Sequence, residues 1–101
     1  MNSYGIQKIL CANVRSLPGK LDDLRVCAHT ENFHVIALTE TWLHPGITDV
    51  NIANFYCFRC DRSRRTGGGV AIWLRNSIIA TLIPMHLYVQ FLALLIVFGY
   101  I

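Results

Sequence analysis

Two polar side chains stand near the ends of apolar stretches, where a sheet could present them to a ligand. Asn13 lies near the end of the apolar stretch 6–14, and Glu40 ends the stretch that begins at His34. Ligands of open α/β sheets gather beyond the carboxyl ends of parallel strands. A carboxylate there, with an amide on the neighbouring strand, could hold Mg²⁺ and orient a phosphate. The plainer alternative is that Glu40 is a solvent-facing strand end and Asn13 a turn former.

A cluster of arginines is the second feature with functional potential. Four of the nine basic residues fall within seven positions, namely Arg59, Arg62, Arg64 and Arg65. Such a cluster can neutralise the phosphates of a nucleic acid, and a solvated loop is the other interpretation. The three glycines at 67–69 follow it without a Lys-Ser/Thr pair, so the segment is not a P-loop. Trp42 and Trp73 are predicted to be core or rim aromatics rather than platforms for stacked bases.

The cysteines have one suggestive spacing, the CxxC of Cys57 and Cys60. No second CxxC or close pair of histidines completes a zinc site. Both flanks of this CxxC are typical of a strand, whereas a thioredoxin-like motif lies where a strand opens a helix. We therefore interpret all four cysteines as packed or incidental thiols in a reducing compartment.

A strand–helix–strand unit is predicted to position Asn13 and Glu40. The stretch 6–14 is typical of a buried strand, with Ser16 as a helix N-cap and Pro18 in the first helical turn. A second strand follows over 34–40, and the two strands are expected to be parallel. The apolar residues at helical spacing between them are Leu17, Leu21, Leu24 and Ala28.

Further strands are predicted after a long loop over 41–54. The stretch 55–59 is predicted as a third strand, and 69–74 as a fourth strand antiparallel to it. A fifth strand is predicted over 78–83, where Pro84 ends it.

Composition limits the classes of protein that the chain can form. It has 101 residues, of which 53% are hydrophobic and 15% charged, with a net charge of +3. This composition excludes a disordered chain, and the glycines and prolines exclude a coiled coil. From Asn76 to Ile101 there is no Asp, Glu, Lys or Arg. The stretch 87–101 is shorter than the about 20 residues of a membrane span, so an orphaned core strand is favoured over membrane insertion.

Three separated segments resemble the endonuclease/exonuclease/phosphatase family. The resemblance is strongest to the endonuclease domain of non-LTR retrotransposons of the LINE type, and it covers roughly residues 6–80. The segments are CANVRSL and KLDDL at 11–17 and 20–24, VIALTETWL at 35–43, and RCDR with GGGVAI at 59–62 and 67–72.

The resemblance implies roles for individual residues. Glu40 falls on the family's Mg²⁺-binding glutamate, and Asn13 on the asparagine that supports the metal ligand and the phosphate. The implied reaction is hydrolysis of a DNA phosphodiester, with no small-molecule cofactor. Arg15 replaces an acidic residue common in related repair nucleases, and with Arg62, Arg64 and Arg65 it is expected to contact DNA.

The sequence also departs from the family's pattern. The Asp-x-Asn motif and the terminal Ser/Thr-Asp-His motif of the family have no counterpart in it. We therefore expect an incomplete α/β sandwich with a βαβ start and mixed-sheet strands, formed by 1–80, with an apolar tail over 81–101. Negligible nuclease activity is expected from this chain alone. A residual nucleic-acid-binding module and a small membrane-associated protein stay open as alternatives.

The N-terminus has no apolar region of the kind found in signal peptides. We therefore expect an intracellular protein, in the nucleus if it shares the localisation of the parent family.

Overall fold

A computed structural model describes residues 8–61 and 67–77. The elements are strand β1 (Ile9–Asn13), helix α1 (Leu21–Thr30), and strands β2 (Val35–Thr39), β3 (Phe55–Cys60) and β4 (Val70–Arg75). The four strands form one sheet in the order β1-β2-β4-β3. β1 and β2 are parallel, whereas β4 is antiparallel to both of its neighbours. The predicted α/β class, the βαβ start and the mixed sheet are therefore confirmed.

Helix α1 packs on one face of this sheet through the predicted apolar stripe. Leu21, Leu24 and Ala28 are buried, and they share one core cluster with Ile36 of β2 and Trp73 of β4. Burying each large side chain contributes about 1.5–3 kcal/mol. The stripe fixes the helix against the sheet, and the parallel pairing of β1 with β2 places their carboxyl ends side by side.

The predicted N-cap at Ser16 is wrong. Helix α1 begins at Leu21, and a 3₁₀ turn over Pro18–Lys20 precedes it, with Pro18 in its first positions. Ser16 has a φ of +84° and donates its backbone N–H to the carbonyl of Glu40 at 3.0 Å. It cannot cap the helix because the intervening turn separates it from the helix start.

The loop predicted over 41–54 is confirmed, and it forms part of the core. Leu43, Val50 and Ile52 are almost completely buried. The indole N–H of Trp73 donates to the Val50 carbonyl at 2.9 Å, which satisfies the one polar atom of a fully buried tryptophan. The predicted core position of Trp73 is therefore confirmed.

The central strands are buried on both faces. Side chains of β2 and β4 that point away from α1, such as Ala37 and Ile72, are as inaccessible as those that face it. β1 differs, because it is an edge strand whose outward residues Ile9, Cys11 and Asn13 are exposed, so the prediction of a buried strand over 6–14 is wrong for this face. Asn13 therefore stands at an accessible position of the sheet.

Several sequence predictions fall outside the described residues. These are the fifth strand over 78–83, the tail over 87–101, the domain boundary at 80 and the arginines at 62, 64 and 65. Within 8–61 and 67–77, no helix combines the length and the apolar character that crossing a bilayer requires.

The four cysteines differ in exposure: Cys11 is exposed, and Cys27, Cys57 and Cys60 are partly buried. All four are free thiols. Cys57 and Cys60 both belong to β3, where residues three apart point to opposite faces of the strand. Burial raises the pKa of the Cys57 thiol to about 12, with an opposing contribution from Arg59, so this thiol stays protonated and unreactive.

Candidate functional site

The carboxyl ends of β1 and β2 adjoin, as the parallel arrangement requires. Asn13 is opposite Thr39 in the register, and the N–H of Val14 donates to the Thr39 carbonyl at 3.0 Å. The N–H of Ser16 continues this ladder to the carbonyl of Glu40. The structure therefore brings Asn13 and Glu40 to the same edge of the sheet, with Asn13 exposed and Glu40 half-buried.

Thr41 anchors the chain that carries Glu40. It is completely buried, its N–H donates to the Gly69 carbonyl at 3.3 Å, and its carbonyl accepts from the N–H of Leu17 at 2.8 Å. Its hydroxyl oxygen accepts the N–H of Leu43 at 3.5 Å. With both backbone polar groups and the side chain held inside, Thr41 fixes the direction in which its two neighbours leave the sheet.

Those two neighbours, Glu40 and Trp42, meet through their side chains. Both have left-handed backbone conformations, with φ of +56° and +57°. The indole N–H of Trp42 donates to Oε1 of Glu40 at 3.2 Å. Trp42 is 37% exposed, so the predicted rim position is confirmed. Its contact with Glu40 was not predicted.

The glycines at 67–69 support this turn instead of forming only a flexible connection. All three have positive φ, from +73° to +92°. The Gly68 carbonyl accepts the backbone N–H of Trp42 at 2.9 Å. A Cβ at Gly69 would lie 2.6 Å from Oγ1 of Thr41, so only glycine lets this segment pass so close.

Backbone strain is concentrated at this edge. Of the six non-glycine residues with positive φ among those described, four lie here: Arg15, Ser16, Glu40 and Trp42. Each such conformation costs roughly 1–3 kcal/mol, and strain of this kind clusters at functional sites. The Glu40 and Trp42 conformations are held by the hydrogen bonds of Thr41 and Trp42 to the glycine segment.

The basic residues near the edge have different surroundings. Arg15 is exposed, and the ammonium of Lys20 donates to the carbonyls of Val14 and of Arg15, the latter at 3.1 Å. Arg59 is tied to the Asp61 carboxylate at 2.7 Å and to the His44 carbonyl at 3.0 Å. Of Arg15 and Arg59, Arg15 is therefore the candidate for a DNA contact, whereas the guanidinium of Arg59 is already bonded to Asp61 and His44.

The side chains at this edge fit a partial magnesium site. Mg²⁺ takes oxygen ligands, keeps several waters, and is bound through one or two carboxylates plus the oxygens of a substrate phosphate. Glu40 would supply one carboxylate oxygen, and the amide of Asn13 at the adjoining strand end would be a hydrogen-bond donor to the phosphate rather than a metal ligand. Across 8–61 and 67–77, no group of three or more His, Cys, Asp or Glu side chains could hold a metal ion by itself. A closed structural zinc site is therefore not formed by these residues.

No protein-family model matches the chain, and no curated protein matches it. Several solved structures, in contrast, are similar to this chain. An AP endonuclease, LMAP, from Leishmania major is 22% identical with a TM-score of 0.62, over 72% of this chain and 25% of that one. A 3′ phosphatase, NExo, from Neisseria bound to a product DNA hairpin is 23% identical with a TM-score of 0.58, over 66% and 26% of the two chains. An AP endonuclease from Archaeoglobus fulgidus is 16% identical with a TM-score of 0.57, over 65% and 26%.

These similarities establish the fold. The described residues adopt part of an endonuclease/exonuclease/phosphatase-type α/β fold, as the sequence predicts. The chain spans about a quarter of the length of each of these three structures.

The sequence predicts that Asn13 and Glu40 lie at adjoining strand ends, as they do, but it gives no prediction of the residues that hold Glu40 in place. Thr41 and Trp42 directly follow Glu40 in the sequence, so their closeness to it is evident. Their backbone hydrogen bonds, however, are made to Gly69 and Gly68, 26 or more residues later in the chain. Three consecutive glycines before a strand were the available signal, because such a run indicates close approach of two backbone segments.

Proposed function

We propose that this chain forms the N-terminal part of a Mg²⁺-dependent phosphodiesterase domain that nicks DNA, of the kind found in non-LTR retrotransposons. The placement of Glu40 and Asn13 at adjoining strand ends carries the proposal. That placement occurs in a fold shared with two AP endonucleases and a 3′ phosphatase. The retrotransposon subtype rests on the three sequence segments alone.

In this proposal Glu40 is the metal ligand and Asn13 a hydrogen-bond partner of the phosphate. The Glu40 carboxylate would bind Mg²⁺ through oxygen, and the exposed amide of Asn13 would donate to a phosphate oxygen beside it. When bound, Mg²⁺ would neutralise the charge that develops on the phosphoryl oxygens. Arg15, Arg62, Arg64 and Arg65 would contact the DNA backbone, which orients the duplex without reading its sequence.

We further propose that this chain alone does not catalyse the reaction. Phosphoryl transfer depends on several groups that position the nucleophile and stabilise charge together. One glutamate and one asparagine supply neither a general base nor a donor to the leaving group. Plasmid nicking in Mg²⁺ should therefore stay at the background level of a Glu40→Ala variant, and nicking that Glu40→Ala abolishes would contradict this part of the proposal.

The metal site can be tested without activity, by Mn²⁺ titration followed by electron paramagnetic resonance. Glu40→Gln should weaken Mn²⁺ binding by ~10-fold or more, because metal sites lose at least that much when even an outer partner is removed. Glu31→Gln is the matched control, since Glu31 is an exposed glutamate whose carboxylate pairs with Lys8 at 2.9 Å. Equal Mn²⁺ affinity of the wild type and Glu40→Gln would refute the metal site.

DNA binding without catalysis is the second candidate function. The feature that favours it is the basic cluster of the sequence, with Arg62, Arg64 and Arg65 within four positions. Phosphate contacts make DNA affinity fall steeply with salt. Replacing Arg62, Arg64 and Arg65 with alanine together should lower both the affinity and its salt dependence, as measured by fluorescence anisotropy. An unchanged salt dependence would eliminate this function for the basic segment.

A further inference from the structure

Trp42 is the side chain that touches the proposed metal ligand directly. Its indole N–H donates to Oε1 of Glu40 at 3.2 Å. Among the described residues, this is the one hydrogen bond shown to the Glu40 carboxylate, and it is made to Oε1 rather than Oε2. A carboxylate with one oxygen held and the other available is the arrangement in which a neighbouring donor orients a metal ligand.

The indole is itself held in place, which lets it orient Glu40. The backbone N–H of Trp42 donates to the Gly68 carbonyl at 2.9 Å, and a Cβ at Gly67 would lie 3.6 Å from the indole nitrogen. The ring therefore lies against the backbone of the glycine segment. Thr41, buried between Glu40 and Trp42, keeps both side chains on the same side of the turn. The carboxylate is in this way connected to β4 through a rigid aromatic ring.

We infer that Trp42 is a positioning residue for the divalent cation: its indole N–H holds Oε1 of Glu40 and leaves Oε2 for the metal. The inference rests on the proposed function, because it needs Glu40 to be a metal ligand. It assigns to Trp42 a role distinct from core packing, since the ring is 37% exposed.

The first experiment tests the hydrogen bond without metal. In ¹H–¹⁵N spectra of the full chain, the indole N–H resonance of Trp42 should shift in Glu40→Gln, because a charged acceptor is replaced by a neutral one. The Trp73 indole serves as the internal control, since it donates to the Val50 carbonyl and should not shift. A Trp42 resonance that is indifferent to Glu40→Gln would overturn the inference.

The second experiment tests the consequence for the cation. Trp42→Phe keeps an aromatic ring but removes the N–H, and it should weaken Mn²⁺ binding by ~10-fold. Trp42→His, which retains a ring N–H, should recover part of that loss. Trp73→Phe is the matched control, because it removes an indole N–H elsewhere and should leave Mn²⁺ affinity unchanged. If Trp73→Phe does not fold, the comparison of Trp42→Phe with Trp42→His carries the test.

The outcomes separate the inference from the proposed function. Wild-type Mn²⁺ affinity in Trp42→Phe, with Glu40→Gln impaired, would overturn the inference and leave the metal site standing. Absence of Glu40-dependent Mn²⁺ binding in the wild type would overturn the proposed metal site, and the inference with it. A loss in Trp42→Phe that Trp42→His partly restores would support both.

Discussion

Replacing Gly69 with alanine should destabilise the fold more than replacing Gly67 or Gly19 with alanine. The backbone at Gly69 has a φ of +89°, and an added Cβ would lie 2.6 Å from Oγ1 of Thr41. The conformation costs an L-residue roughly 1–3 kcal/mol, and overpacking adds about 1–3 kcal/mol. Thr41 cannot move away easily, because it is fully buried and bound at its N–H, carbonyl and hydroxyl. After about 0.4–1 kcal/mol of entropy relief in the unfolded chain, the net loss is about 1–6 kcal/mol.

Two matched substitutions separate the two causes of this loss. Gly67→Ala keeps the φ penalty, at +92°, but its Cβ would meet only the Trp42 indole nitrogen at an ordinary 3.6 Å, so a loss of about 1–2 kcal/mol is expected. Gly19→Ala meets nothing within 4 Å and should be neutral or stabilising by up to about 1 kcal/mol. Urea unfolding followed by Trp fluorescence would measure the series. A free energy of unfolding for Gly69→Ala within about 0.5 kcal/mol of that for Gly19→Ala would refute the reasoning.

Other predictions concern the thiols and the charged pairs. In the folded protein, iodoacetamide at pH 8 should alkylate the exposed Cys11 well before Cys57, whose pKa of about 12 leaves almost no thiolate. Mass spectrometry would follow the two reactions, and equal alkylation rates would contradict the prediction. The Cys57 thiol ionises near pH 9 in the unfolded chain but stays protonated in the folded one. The free energy of unfolding should therefore fall as the pH rises from about 9 toward 12, because ionisation stabilises only the unfolded chain. Urea titrations at both ends of that range would measure this fall, and Cys57→Ala should remove it. Asp61→Asn should cost about 1–3 kcal/mol in thermal unfolding, since it weakens a pair with Arg59 whose side chains are only 11% and 20% exposed. Glu31→Gln, in a pair with Lys8 that is about half exposed, should change stability by less than about 1 kcal/mol, and an equal effect of the two changes would argue against a role for burial.

The fold was predictable where short-range apolar pattern determines structure. The continuous apolar run over 35–38 predicts a strand buried on both faces, and β2 is such a strand. The spacing of Leu21, Leu24 and Ala28 predicts the helix face that packs on the sheet. The helix start was not predictable from the same pattern, because the N–H of Ser16 bonds to Glu40, a residue 24 positions later.

The candidate site was predictable in its two polar residues and not in its supports. The two strands of a βαβ unit pair in parallel, and this pairing brings Asn13 and Glu40, at the ends of those strands, to the same edge of the sheet. The contact between Trp42 and Glu40 depends on two left-handed residues. Sequence alone does not indicate that a tryptophan and a glutamate will adopt that conformation, since it is the hydrogen bonds to the distant glycine segment that stabilise it.

Mapping where Mn²⁺ binds would locate the proposed cation site. In ¹H–¹⁵N spectra, a bound paramagnetic ion broadens the resonances nearest to it first. Substoichiometric Mn²⁺ should broaden the side-chain amide of Asn13 and the backbone amides of Glu40 and Thr41 before all others, and Glu40→Gln should abolish this pattern. Broadening that begins instead at Glu31, at the far end of α1, or that spreads evenly over the described residues would contradict a cation site at the carboxyl ends of β1 and β2.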